Sequence, residues 1–209
     1  MKTGTGLSVL GGIALLFAPF ANMPAQGASS AFTVESGSRV VLLGKSNINS
    51  WRCSTSELSA TVRVDSEAPY AVHLSVVVPV KAMDCGRQRM NEDMYRALKA
   101  DSFPTIRYEL TSYQVTTHSE ARDSICIASV GELTVAGKTQ RVEIPVHAQR
   151  NGTGDVIGQG GVRMLMTDFG IKPPTAFFGA IRAKNALEVR IEAQVREPML
   201  RSGGHVSLR

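Results

Sequence analysis

Beyond residue 20 the sequence has no apolar run long enough to cross a bilayer as a helix. It also lacks any block of Lys and Arg: the formal charge is only +5, and charges alternate in sign along most segments. A nucleic-acid binder that tracks phosphates is therefore excluded. No alternation of strands with helices is present, which excludes a doubly wound parallel sheet. The marks of catalysis are absent too. There is no G-x-S-x-G elbow, and no carboxylate pair stands out. The four histidines, His73, His118, His147 and His205, lack the spacing of metal ligands and read as solvated side chains. No catalytic residue, metal or resident cofactor is expected. The segment from Gly131 to Thr139 imitates a phosphate-binding loop. Five residues separate Gly131 from Gly137 where that loop has four, and a strand pattern follows where it needs a helix. It reads as a hairpin turn.

What the sequence does contain begins with a leader. Lys2 supplies a short positive region, Leu7 to Phe20 an apolar run, and Ala25 and Gly27 the small residues of a cleavage site. This is the layout of a secretory signal peptide, residues 1–27. A cut after Ser30 fits almost as well. The expectation is a periplasmic or secreted protein of about 180 residues, enough for one domain with a real core. Residues 28–38 form a lead-in, 39–196 the domain, and 197–209 an aperiodic tail expected to be disordered. An oxidising compartment favours one disulfide among Cys53, Cys85 and Cys126. Cys53 and Cys85 lie beside strand ends and Cys126 in mid-strand, so Cys53–Cys85 is favoured; the sequence alone does not fix the pairing. In the chain-entropy model such a loop is worth roughly 3–4 kcal/mol.

From residue 39 the pattern is mostly strand. Arg39 to Lys45 is a short apolar run, and Trp51 and Cys53 open a polar turn. Leu58 to Val64 alternates, as do Val72 to Val80, Ile106 to Leu110, Ile125 to Val135, Val142 to Ala148 and Leu187 to Val195. The phase shifts to Tyr113 and Val115 after Leu110, which predicts a bulge near Ser112. Asn151-Gly152 is a turn signal. One helix interrupts, at about residues 90–99: Met90, Met94, Ala97 and Leu98 recur at helical spacing, with Asn91 as a candidate N-cap. About eight antiparallel strands with one apolar face are satisfied by a closed barrel, which leaves no exposed edge. The fold class is all-β.

The stretch Met164 to Gly179 carries the strongest functional hint. It starts as a strand through Asp168, with Met164 and Met166 turned into the barrel. It breaks at Gly170, passes Pro173 and Pro174, and ends in a loop with adjacent Phe177 and Phe178. Two phenylalanines in a loop either plug a barrel end or line the mouth of an apolar pocket. Asp168 reads as an acid that bonds backbone donors before Gly170; a general acid or base is the other reading. Cys126 reads as a packing thiol. A hydrolase built on Asp168 or Cys126 lacks a supporting base.

Three pieces together resemble the YceI-like family of exported lipid-binding proteins. They are the Met90–Lys99 helix followed by Phe103-Pro104-Thr105-Ile106, the Gly131–Thr139 strand and turn, and Thr167-Asp168-Phe169-Gly170-Ile171. Order and spacing agree from about Arg39 to Val195. Asn185 stands where the family often has Asp, and Cys53 and Cys85 are not general family features. The resemblance implies an eight-stranded lipocalin-like barrel, no enzymatic activity, and an isoprenoid lipid, such as a quinone or polyprenyl chain, inside it. Expected lining and mouth residues are Val76, Val78, Tyr108, Leu110, Leu133, Ile144, Met164, Met166, Phe169, Phe177 and Phe178. The main functional expectation is a non-catalytic carrier of that lipid. The alternative is a stress-related periplasmic interaction protein with a side-chain-filled barrel and no lipid. Candidate partners besides the lipid are an envelope redox protein and a second copy of the chain.

Overall fold

Alternation of apolar and polar residues makes a strand stable only where its apolar face is covered, and here a sheet curling on itself does the covering. The structure is a computed structural model, and it describes residues 30–34, 37–64, 71–119, 124–152 and 155–196. The expected leader, residues 65–70 and the C-terminal tail lie outside the described residues.

The strands are β1 (Ser30–Val34), β2 (Arg39–Ser46), β3 (Ser50–Thr55), β4 (Ser59–Val64), β5 (Val72–Pro79), β6 (Thr105–Ser119), β7 (Ser124–Val135), β8 (Lys138–Arg150), β9 (Val156–Leu165), β10 (Thr175–Ala176) and β11 (Ile181–Arg196), with the helix α1 (Gln88–Ala97) between β5 and β6. All pairings are antiparallel. The sheet runs β1-β4-β5-β6-β7-β8-β9-β11-β2-β3, and β1 also pairs with β11. The chain therefore curls into the expected lipocalin-like barrel. It has more strands than anticipated, because β1, β3 and the two-residue β10 add to the periodic ones. Trp51 and Cys53 correct one expectation: they belong to β3, paired with Gly44 and Leu42, and not to a turn. The bulge falls where the phase shift put it, between Leu110 and Ser112. The Val135–Lys138 turn holds Ala136 and Gly137 at φ of 49° and 78°, a hairpin and not a phosphate loop.

Two devices hold the curl closed. Toward one end, β1 bridges β4 and β11. Toward the other, the β2–β3 hairpin reaches the segment after β5. There Ser54 and Asp84 exchange backbone hydrogen bonds of 2.8 and 2.9 Å, and a disulfide joins Cys53 to Cys85. The Asp84 carboxylate accepts hydrogen bonds from the Gly86 N–H and the Asn91 amide, both at 2.9 Å. The Asn91 amide bond, and then the Gly86 N–H, hold the Asp84 carboxyl below the usual range. Asn91 is thus not the N-cap expected of it. The helix starts at Gln88, and the Asn91 side chain instead accepts the Cys85 N–H at 2.7 Å.

The helix lies against this seam. Met94, Tyr95 and Ala97 pack on a buried cluster of Val80, Leu98, Ala100, Val135, Ala136, Met166, Phe169 and Ile171. The Tyr95 hydroxyl lies 2.9 Å from the carbonyls of Lys81 and Met83. This cluster closes the end of the barrel where β5, β7 and β9 finish and β6, β8 and β11 begin, hereafter the helix end. The strand expected to run to Asp168 stops at Leu165, and Met166–Phe169 forms a tight turn. Main-chain bonds from Gly170 to Thr167 and from Ile171 to Met166 close that turn. Asn185 accepts the Thr167 N–H and donates to the Thr167 hydroxyl, at 3.1 and 2.9 Å. The turn is thus fixed by the main chain and Asn185, while Asp168 stays exposed.

Candidate functional site

Cross-strand register defines one continuous inner wall. Val115, Ile127, Val146, Gly160, Ile191 and Val40 follow one another across six strands on a single face. Val76, Tyr108 and Leu133 form a second row. The face is apolar because each strand alternates in phase with its neighbour, so one set of Val, Ile and Leu side chains turns inward.

Most of this wall is not sealed. Leu42, Val76, Leu110, Val142, Val146, Val162, Val189 and Ile191 are only half-buried, and Val115 keeps 49% of its surface exposed. A barrel filled by its own side chains would seal such central positions from water. The wall residues are also small or lie flat. The Tyr108 ring lies over Gly131, where a Cβ would come within 2.6 Å of it. Its hydroxyl bonds Ser129 at 3.3 Å, and Ser129 donates to the Ile144 carbonyl at 2.8 Å. Burial raises the Tyr108 pKa, and the Ser129 contact opposes the rise. The ring is thereby held against the wall instead of across the interior. On β9, Gly158 leaves room on the wall, since a Cβ there would meet nothing closer than 3.8 Å, whereas at Gly160 the Ile144 and Val146 methyls close in to 3.2 Å of where a Cβ would be.

The residues expected to form the site separate into three groups. Val76, Val78, Tyr108, Leu110 and Ile144 lie on the inner wall, and Leu133 and Met164 lie where that wall meets the buried cluster. Met166 and Phe169 belong to the cluster itself, at 5% and 4% exposure, and not to an open wall. Phe177 and Phe178 neither plug the barrel nor line a mouth. They sit outside at the helix end, 74% and 113% exposed. Both residues lie in the Phe177–Gly179 turn with backbone φ of 51° and 55°, outside the strand phase from which the expectation was read. Gly158 and Gly160 were not anticipated as wall residues. The glycine density of Gly158-Gln159-Gly160-Gly161 inside a strand was the available signal, since glycine in a strand marks room or close approach.

The outer face carries two shallow concavities. One, of about 530 Å³, is lined by Thr116, Cys126, Pro145, His147 and Arg190 among others. Another, of about 340 Å³, has Arg39, Arg52 and Arg190 around Val41 and Leu43. Among the described residues no group of His, Cys, Asp and Glu is placed to hold a metal ion, and no helix is long and apolar enough to cross a membrane.

Such a barrel, with one end packed and an apolar wall left uncovered, is the architecture of a binding module. The chain belongs to the YceI-like family, whose domain matches residues 31–196. No curated protein matched the chain. Among solved structures it is similar to Burkholderia cenocepacia BcnA (17% identity, TM-score 0.63), covering 78% of this chain and 99% of that one. A polyisoprenoid binding domain from Saccharophagus degradans, implicated in plant cell wall breakdown, is similar at 8% identity and TM-score 0.63, covering 81% of this chain and 99% of that one. The Campylobacter jejuni YceI protein follows at 14% identity and TM-score 0.54, covering 74% and 85%. At these identities the structural likeness speaks for the fold.

Proposed function

We propose that this protein is a non-catalytic carrier of an isoprenoid lipid, held against the inner wall of the barrel and handled outside the cytoplasm. The observation that carries this reading is the half-buried state of the wall from Leu42 and Val76 through Val162 to Ile191. An isoprenoid chain has no hydrogen-bonding groups along its length, so it asks only for apolar surface. Covering that surface is worth about 25 cal/mol per Å². Family membership and the polyisoprenoid-binding description of one structural relative support the same reading. The leader-like N-terminus supports export.

Gly158→Phe tests it. A Cβ added at this position makes only ordinary contacts, 3.8 Å from Val146 and 3.9 Å from the Ala193 carbonyl, and the backbone there is strand, so the substitution starts from an unstrained position on the inner face. Protein purified from its native envelope is extracted with organic solvent and the extract analysed by mass spectrometry. The wild type is expected to yield isoprenoid lipid in near-stoichiometric amount and the variant little, with both melting alike. Lipid-free wild type, or equal lipid in the two proteins, overturns the proposal.

A further inference from the structure

Two loops form an exposed tip on the rim of the helix end. One is the β2–β3 turn with Ile48, the other the Phe177–Gly179 turn before β11. They are stitched together: Asn47 donates to the Ala180 carbonyl at 2.9 Å and accepts the Arg182 N–H at 2.8 Å. Asn47 N–H also bonds the Arg182 carbonyl at 3.0 Å. Arg182 in turn donates from Nε to the Gly179 carbonyl at 2.9 Å. The apolar side chains at this tip are the most exposed large ones of the described residues, Ile48 at 63% beside the two phenylalanine rings. Consecutive non-glycine residues at positive φ are costly backbone. Here it accompanies two rings that stand in water, where they contribute nothing to the core.

Cations predominate around the tip; the exposed Asp168 of the neighbouring Met166–Phe169 turn is the nearest acid preceding it, and Arg39 lies at the far end of β2, paired with Glu192. From Phe169 to Leu187 the chain carries Lys172, Arg182 and Lys184 and no acid, and from Arg39 to Ser56 it carries Arg39, Lys45 and Arg52 and no acid. Lys45, Lys172, Arg182 and Lys184 are all exposed, and the Ser46–Ala183 pairing brings the two segments side by side. Projecting apolar side chains inside a cationic collar match the interface of an anionic bilayer: the rings enter the headgroup–acyl boundary while the cations meet lipid phosphates.

We infer that this tip docks the protein on anionic phospholipid membrane surfaces. The contact is peripheral and reversible, made by Ile48, Phe177 and Phe178 with Lys172 and Lys184 as electrostatic partners. It is separate from the inner wall and does not depend on what that wall holds. The test is co-sedimentation of the purified protein, expressed from the full chain, with phosphatidylglycerol/phosphatidylethanolamine vesicles and with phosphatidylcholine vesicles, at low and high salt. Phe177→Ser/Phe178→Ser and Lys172→Glu/Lys184→Glu are prepared identically, so any contribution of the N-terminal apolar run is common to all. The wild type is expected to bind the anionic vesicles, and to bind them less as salt rises. Each double variant should weaken binding by about tenfold or more with unchanged melting. Absent binding, equal binding to neutral vesicles, or variants that bind like the wild type would each overturn the inference. So would a wild-type dimer that the phenylalanine variant dissociates, because the rings would then serve a second copy of the chain.

Discussion

At the helix end the inner face is covered by protein: Met166, Phe169 and Ile171 fold back from β9 onto Val80, Leu98 and Val135. Further along the same strands the same face, at Leu42, Leu110, Val142 and Ile191, is only half-buried by the described residues. Both regions draw on Val, Ile and Leu. Composition therefore does not distinguish a core from a binding wall. The difference lies in whether a connection returns to fill the space, and among the described residues the β9–β11 connection and the helix do so at one end.

The contrast is most directly broken by truncation in each region. Phe169→Ala is expected to cost about 3–5 kcal/mol in urea unfolding, as for other buried aromatic truncations. Leu110→Ala, on the uncovered wall, should cost about 1–2 kcal/mol, because less surface leaves water on folding. Equal losses would mean that the interior around Leu110 is as filled as the plug. The seam gives the next effect. Cys53→Ser/Cys85→Ser removes a cross-link spanning 32 residues, and should lower stability by about 3 kcal/mol while leaving the barrel able to form. A reduced midpoint with a steeper denaturant slope, because the unfolded chain is no longer cross-linked, is the expected signature.

The smallest effect is electrostatic. Asp84 has a folded pKa below its ordinary value of 3.8. A depressed carboxyl stabilises above its unfolded pKa, and that contribution disappears as pH falls through the folded value. Wild type should therefore lose more stability between pH 5 and about pH 3 than Asp84→Asn does. Identical acid profiles would show that the Asp84–Asn91 contact adds nothing to the seam.

Much of this was legible in the residues. Period-two alternation located β4 to β9 and β11, because a half-buried strand must separate its faces every second residue. The phase slip from Leu110 to Tyr113 exposed the bulge for the same reason. Strand β3 was missed, since Ser50–Thr55 has polar residues on both faces and gains its place from pairing with β2. Asn91 was misread because Asn before acidic residues is a local capping signal, while its actual partner, the Cys85 N–H, is supplied by the neighbouring loop. In the site, wall residues such as Val76 and Tyr108 followed from strand phase, but Phe177 and Phe178 did not. Nothing local in Ala176-Phe-Phe-Gly179 tells which way a turn will aim its rings.

The sequence by itself determined the all-β class, the inward set of side chains and the family, since these depend on alternation and on short ordered motifs. Only the tertiary structure decided which apolar residues are core, which are uncovered wall and which stand in water. That choice rests on how far connections reach back across the barrel and on the backbone dihedrals at a few turns. Both are set by contacts between segments distant in the chain, such as Asn47 with Arg182 and Thr167 with Asn185.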